Sequence, residues 1–515
     1  MFQRIRTFCL SGIQAIPVNV EVDVSQGLPG FTLVGLPDSA VRESRERVIA
    51  AVRSSGYAVT GNRMTVSLSP ADLKKEGAAL DLPIAIGMLL ASKEISVERA
   101  ERYIFLGELA LDGELKPVRG VLSVAMNLKK TGADILVVPR ANEEEASLVE
   151  GITVLGVSTL SECIRFLESA ENLSFRRASG FSKVRRKTSR NVPDFKSVLG
   201  MKSVKRALEI AAAGGHNFLL IGSPGSGKTF CARCLPGILP EMDDDEILET
   251  TRIHSCAGFS PPGSVRLIEE RPFRTPHHSA SMGALIGGGV RLSPGEVSLA
   301  HNGVLFLDEL PEYQKNVLEG LREPMEERKI QISRVSGTVV WPASFMLGAA
   351  MNPCPCGYSM DPERECRCLP DSITRYRQRI SGPLMDRIDL QIMVPPVRTE
   401  VLRGQNTEET SAVIRERVMK ARTTQKIRFK KWNCGSVRCN ADMDSEQARL
   451  LAFMNDSAAE FSVQAAQKMN LSARGYYRLL KVSRTIADLR DSGPVEIQDM
   501  SEALRYREFS FKRPV

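Results

Sequence analysis

Val18-Asn19-Val20-Glu21-Val22-Asp23-Val24 alternates apolar and polar side chains, the period of a strand with one buried face. Leu80 to Leu90 is a mostly apolar stretch of helical length. Ile135–Val138 and Ile152–Leu155 are short apolar runs of the kind found in buried strands. Residues 1–171 therefore read as one unit of alternating short strands and helices, an α+β domain. Further along, Phe218–Ile221, Val304–Leu307 and Phe345–Ala350 are apolar runs that each end in a polar cluster. They predict the buried strands of a second, α/β domain over 194–395. From about 396 to 515 the pattern turns helical. Ser472 is a good N-cap for a helix through Leu489, with Tyr476, Leu479, Leu480, Ser483, Ile486 and Ala487 on one face.

Residues 172–193 hold seven Lys or Arg and no acid, with Ser and Gly interspersed. This composition predicts a flexible linker, either a solvated tether or a segment that attracts nucleic-acid phosphates. The whole chain has 515 residues and a net charge of +8, which permits a polyanionic partner without requiring one. No run of 18 apolar residues occurs, so no membrane span is expected. The start, Met1-Phe2-Gln3-Arg4-Ile5-Arg6, is followed by sequence too polar for a secretory signal. Eleven scattered cysteines then point to a reducing cytoplasm rather than a disulfide framework.

The chemistry concentrates in the second domain. Gly222-Ser223-Pro224-Gly225-Ser226-Gly227-Lys228-Thr229 follows one apolar strand and precedes a helix. Glycines let backbone N–H groups curl around phosphates, Lys228 reaches the β and γ phosphates, and Thr229 offers a hydroxyl to Mg²⁺. ATP and Mg²⁺ are the expected ligands. Val304–Leu307 delivers Asp308 and Glu309 to the end of a second strand. Asp308 suits Mg²⁺, and Glu309 suits orienting or deprotonating an attacking water. Phe345–Ala350 leads to Asn352. That amide is either a sensor of the γ-phosphate or a turn residue before Pro353.

Phosphate loop, acid pair, asparagine and helical lid, in this order, look like an AAA+ ATPase. Arg274-Thr275-Pro276-His277-His278-Ser279, Gly283–Gly288, Pro294–Ala300 and Met351-Asn352-Pro353-Cys354-Pro355-Cys356-Gly357 sharpen the match. Together they resemble the bacterial ComM (YifB) family, magnesium-chelatase-like AAA+ proteins of natural transformation. The resemblance implies a homohexameric ring that moves along single-stranded and branched DNA and promotes branch migration. It makes Asn352 the first sensor and Arg474 the second. Arg387, in Met385-Asp386-Arg387-Ile388-Asp389, falls where related minichromosome-maintenance helicases carry an arginine finger, with Ile388 in place of their usual Phe. It also implies that the hairpin expected over Ile330–Trp341 enters the ring pore, making Arg334 a DNA contact, and that the insert bearing Arg291 is a second pore loop. A metal-chelatase-type remodelling subunit indifferent to DNA is the competing reading, and an assembly factor that binds DNA without catalysis is a third.

Cys354, Cys356, Cys366 and Cys368 form two C-x-C pairs, which suit a structural zinc, a redox pair or four unligated thiols. Cys231 and Cys234 read as packing residues; His277 and His278, beside Pro276, read as residues that shape a loop in preference to metal ligands or DNA contacts. The first domain resembles the Lon protease domain fold. Its motif positions hold Ala79 and Leu122, which supply neither nucleophile nor base, so no proteolysis is expected.

Overall fold

The computed structural model describes residues 1–58, 63–75, 77–128, 131–168, 176–177, 192–258, 267–289, 292–334, 337–396, 408–435, 437–490 and 492–507. Apart from residues 176–177 and 192–193, the stretch expected to be a basic linker lies outside these.

The alternating segment near the start becomes one arm of a long antiparallel pair, β1 (Phe2–Ser11) and β2 (Gln14–Ser25), joined at Gly12. β3 (Gly30–Val34) and β4 (Arg63–Ser69) extend the sheet on the β2 side. β5 (Tyr103–Phe105) adds in parallel to β1. A small separate hairpin, β6 (Glu108–Leu109) and β7 (Leu115–Lys116), comes next. β8 (Ile135–Pro139), β9 (Thr153–Val157) and β10 (Arg176–Arg177) complete an eight-stranded sheet of order β10-β9-β8-β5-β1-β2-β4-β3. Arg176 and Arg177, expected in the tether, thus pair with Val154 and Thr153 as an edge strand. Leu80–Leu90 corresponds to the helix Asp81–Ala91, in which every residue is buried. With no face to solvent, this helix has no polar stripe, which is why its sequence lacks a helical alternation.

The second sheet is parallel throughout and has the order β12-β15-β18-β11-β19. Its strands are β11 (Phe218–Ile221), β12 (Phe273–Arg274), β15 (Val304–Leu307), β18 (Met346–Met351) and β19 (Leu390–Met393). Between them lie two hairpins, β13 (Gly287–Gly288) with β14 (Ser293–Pro294), and β16 (Lys329–Arg334) with β17 (Gly337–Pro342). Alternate side chains of the parallel strands feed two cores. Phe218, Leu220, Val304 and Phe306 face the helix Lys202–Gly214 and the C-terminal helices. Leu219, Ile221, Leu305 and Leu307 face Leu310, Tyr313 and the segment Tyr376–Ile388. Coverage on both faces explains why these strands read as unbroken apolar runs.

The C-terminal region is helical, led by Ser411–Lys431 and Ala473–Arg490. Ser472 caps the second of these, its Oγ accepting from Gly475 N at 3.1 Å. Leu479, Leu480, Ser483, Ile486 and Ala487 are buried, as the spacing predicts. Arg484 and Asp488 are buried as well: Arg484 Nε donates to Asp488 Oδ1 at 3.0 Å, and Arg428 Nη2 to Oδ2 at 2.6 Å. No helix among the described residues is long and apolar enough to cross a membrane.

The two sheets are joined through the helix Asp244–Ala257. Arg252 donates to Ser123 Oγ at 2.9 Å and to Ile13 O at 2.5 Å. Ser255 Oγ accepts from Gly120 N at 3.1 Å and donates to buried Glu145. Glu145 also accepts from Leu122 N at 3.1 Å and from Asn142 Nδ2 at 3.2 Å. Burial pushes this carboxyl above its usual range, opposed by the donors Ser255, Leu122 and Asn142. Glu145→Ala strands these donors at about 1–3 kcal/mol each if water does not replace the carboxylate. A loss of about 3 kcal/mol, the low end for three donors, lowers the thermal midpoint of a 150–250-residue domain by roughly 6–12 °C. Scanning calorimetry of the full chain measures it, and an unchanged midpoint contradicts the joint.

Candidate nucleotide site and arginine cluster

β11, β15 and β18 run side by side. Ile221 is level with Met351, and Leu307 with Ala349. Gly222, Asp308 and Asn352, each just past the end of its strand, therefore emerge together at one carboxyl edge, where open α/β sheets bind ligands. Gly222 N donates across to Met351 O at 3.3 Å. A Cβ at Gly222 would collide with the Val394 carbonyl and sit 2.9 Å from Ser226 Oγ. Gly225 and Gly227 take left-handed conformations, φ +77° and +82°, that turn the chain into the helix Lys228–Cys234.

Lys228 Nζ donates to Gly222 O at 2.8 Å, Ser223 O at 2.9 Å and Asn352 Oδ1 at 3.2 Å. Burial pulls its ammonium below the usual value, and Asp308 and Glu309 oppose that shift. Thr229 Oγ1 donates to Asp308 Oδ2 at 2.6 Å. Residues from three strand ends thus meet in one hydrogen-bonded group. Glu309 projects from a left-handed turn, φ +51°, and is largely exposed, with His278 Nδ1 3.4 Å from its Oε2. The donor set fits a nucleotide triphosphate with Mg²⁺. Ser226 Oγ is buried with no hydrogen-bond partner, and the Lys228 ammonium is held by backbone carbonyls it could trade for phosphate oxygens. Thr229 and Asp308 are the residues that would hold the ion, which supplies charge neutralisation on the phosphate oxygens.

Arg387 and Arg474 lie elsewhere. Arg387 O accepts from Asn217 Nδ2 at 3.0 Å, and Asn217 immediately precedes β11. The phosphate loop comes after β11, so the two are separated by a four-residue strand, about 13 Å of rise. Arg387 is almost fully buried, with Nη2 on Glu326 and Nη1 donating to Pro383 O at 2.7 Å. Its Nε has no partner. Arg474 Nη2, mostly exposed, reaches the same Glu326 at 3.4 Å. Burial lowers the Arg387 pKa, Glu326 opposes, and Arg322, Arg474 and Arg478 add to the lowering. The amino edge of the sheet thus carries four neighbouring arginines: Arg387 and Arg474 share Glu326, Arg322 pairs with Glu319 at 2.8 Å and Arg478 with Asp389 at 3.6 Å.

The hairpin over Lys329–Pro342 forms, with Arg334 opposite Gly337 at its tip. The Arg334 side chain and all of Arg291 lie outside the described residues. The two hairpins are neighbours: Trp341 Nε1 donates to Leu292 O at 3.2 Å. The sulfurs of Cys354, Cys356, Cys366 and Cys368 lie within 4.8 Å of one another and could hold a metal. Cys231 and Cys234 are buried. His277 and His278 lie ring against ring at 4.1 Å, and His278 also faces Glu309. In the first domain Ala79 is partly buried and Leu122 fully buried. Sequence reading missed Glu326, which has no motif of its own, and the proximity of His278 to Glu309, which only the fold creates.

Comparison with known proteins agrees with this architecture. Family models described as magnesium chelatase subunit ChlI match residues 194–402 and 20–142, and one for the C-terminal part of that subunit matches 408–507. Competence protein ComM of Haemophilus influenzae is 43% identical over 497 residues, 96% of this chain and 95% of that protein. The YifB protein of Escherichia coli is 42% identical over 504 residues, 98% and 96% of the two chains. Lon protease 2 of Bacillus subtilis matches at 24% identity over 127 residues, 24% of this chain and 22% of that one. With nearly full-length identity above 40% and a parallel α/β sheet that ends in a helical region, the chain belongs to the ComM/YifB family of magnesium-chelatase-like AAA+ ATPases.

Proposed function

We propose that this protein is an ATP-driven DNA motor: six copies form a cytoplasmic ring that translocates on single-stranded and branched DNA. Its task in this reading is branch migration during recombination of imported DNA. The observation that carries the reading is the separation of Lys228 from Arg387 and Arg474 by the length of β11. Arginines at the amino edge serve a phosphate only if a neighbouring subunit brings its carboxyl edge to them, as head-to-tail packing in a ring does. Their guanidinium charge suits the oxygens of a transferring γ-phosphoryl group, which a planar fork contacts in two places.

Within this reading each side chain has a task. Lys228 and the loop amides bind the phosphates, and Asn352 positions Lys228 and the water. Glu309 takes the proton of the attacking water, with its carboxylate oriented by His278. Arg387 and Arg474 leave Glu326 for the neighbour's nucleotide. Glu326 is 45% exposed and free to swing aside, whereas the Arg387 side chain is 4% exposed and waits beneath it. The paired hairpins would carry Arg334 and Arg291 to DNA, where phosphate contacts give sequence-independent affinity. Zinc on the four clustered cysteines is the metal their sulfur ligands favour.

The ChlI family models favour a second reading, a metal-chelatase-type remodelling subunit whose ATPase ignores DNA. Steady-state ATP turnover with and without single-stranded and four-way-junction DNA separates the two. The motor reading expects stimulation by both DNAs and movement of the junction. It also expects Glu309→Gln to retain ATP binding while turnover falls by about 10²- to 10⁴-fold, the range for loss of a general base. Turnover indifferent to DNA supports the chelatase-type reading, and junction movement that survives Glu309→Gln overturns the motor.

A further inference from the structure

The loop that leaves β18 does two things within a few residues: it gathers four thiols and it walls the phosphate loop. Cys354 Sγ is 3.4 Å from Cys356 Sγ and 3.7 Å from Cys366 Sγ, and Cys356 Sγ is 3.6 Å from Cys366 Sγ. A tetrahedron of thiolates about 2.3 Å from zinc has sulfur–sulfur edges of about 3.8 Å. A disulfide needs about 2.05 Å. Two backbone donors already point at the sulfurs, Ser359 N at 3.3 Å from Cys354 Sγ and Cys356 N at 3.4 Å from Cys368 Sγ. Such outer hydrogen bonds orient and tune metal ligands.

None of residues 358–370 is buried, so apolar packing does not fix this segment. Yet the loop meets the phosphate loop at two points, at Gly357, which is itself buried just ahead of this segment, and at Asp361 within it. Gly357 takes φ +87°, and a Cβ there would lie 2.6 Å from Pro224 Cγ. The Asp361 carboxyl is held below its usual range by Glu363 N–H and then by the Ser223 hydroxyl. The stem of the same loop is Asn352, whose Oδ1 receives Lys228 Nζ.

We propose that zinc bound by Cys354, Cys356, Cys366 and Cys368 is the buttress of the phosphate loop, holding Gly357 and Asp361 against Pro224 and Ser223 and so setting nucleotide affinity. The inference rests on the reading of residues 222–229 as the nucleotide site. The stretch 358–370, which holds no buried residue, gains its order from the metal cross-link to the buried Cys354 end of the loop, much as small metal-bound domains do. Stripping zinc then returns ordering entropy that nucleotide binding must recover, and the affinity falls accordingly.

The test uses the full-length protein, elemental analysis for metal and a fluorescent ATP analogue for affinity, with circular dichroism to confirm that the fold persists. The expected result is one zinc per chain. Chelation should raise the dissociation constant about tenfold or more, equivalent to about 1.4 kcal/mol, and added zinc should reverse it. Gly357→Ala should keep the zinc and still weaken the analogue, because its methyl group displaces Pro224. Absence of zinc, with Cys366→Ser neutral for affinity, overturns the metal site. Zinc present, with affinity unmoved by chelation and by Gly357→Ala, overturns the buttress. A zinc-loaded wild-type chain that does not bind the analogue overturns the nucleotide reading beneath both.

Discussion

Everything distinctive in the second domain depends on the parallel register of β11, β15 and β18. Because Ile221 stands level with Met351 and Leu307 with Ala349, three separate stretches of chain release their polar residues at one edge. Lys228 and Asn352 meet at 3.2 Å, and Thr229 and Asp308 at 2.6 Å, across sequence gaps of 124 and 79 residues. A slip of one residue in any strand would turn its buried side chains to the opposite core and break these contacts. The apolar strands therefore do more than fill the interior. They set the positions of the polar groups gathered at the carboxyl edge.

The same register creates the division between the two edges. Asn217, at the start of β11, ties down Asp389 and Arg387 at the amino edge, with Asp389 Oδ2 accepting from Asn217 N at 3.0 Å. The helix Ala473–Arg490 lies against that edge, so Arg478 reaches Asp389 at 3.6 Å and Arg474 reaches Glu326. A single chain thus holds the Lys228–Asn352 and Thr229–Asp308 contacts at one edge and a cluster of arginines at the other. Glu326 alone bridges Arg387 and Arg474, and a bridging carboxylate is a weak substitute for a polyanion. The four-cysteine loop belongs to the first of these ends, since it begins at the asparagine that touches Lys228.

Much of this was legible in the sequence. The phosphate loop, Asp308, Glu309 and Asn352 each come after an apolar run, and strand-end chemistry is what the parallel α/β pattern signals. The cap at Ser472 and the buried face beyond it were equally readable from helical spacing. Other features were not. Arg484 and Asp488 look like surface residues until Arg428 and the surrounding helices bury them as a network. Glu326 and Glu145 acquire partners 61 and 110 residues away, which no local pattern encodes. Arg176 and Arg177 have the composition of a tether, but strand pairing is made by backbone and ignores that composition. The distance between Lys228 and Arg387 is a property of sheet direction, and only the assembled strands display it.

The central claim is that the catalytic site is completed by a neighbouring subunit, and mixing two defective chains tests it most directly. Lys228→Ala removes the phosphate grip and leaves the arginines, while Arg387→Ala does the reverse. Each should turn over ATP at a small fraction of the wild-type rate when alone. In rings assembled from equal amounts of both, an intact loop meets an intact arginine at about one quarter of the head-to-tail interfaces. Turnover should rise well above that of either variant toward that fraction. A mixture no faster than its components, or an Arg387→Ala chain that turns over ATP normally by itself, would contradict the shared site.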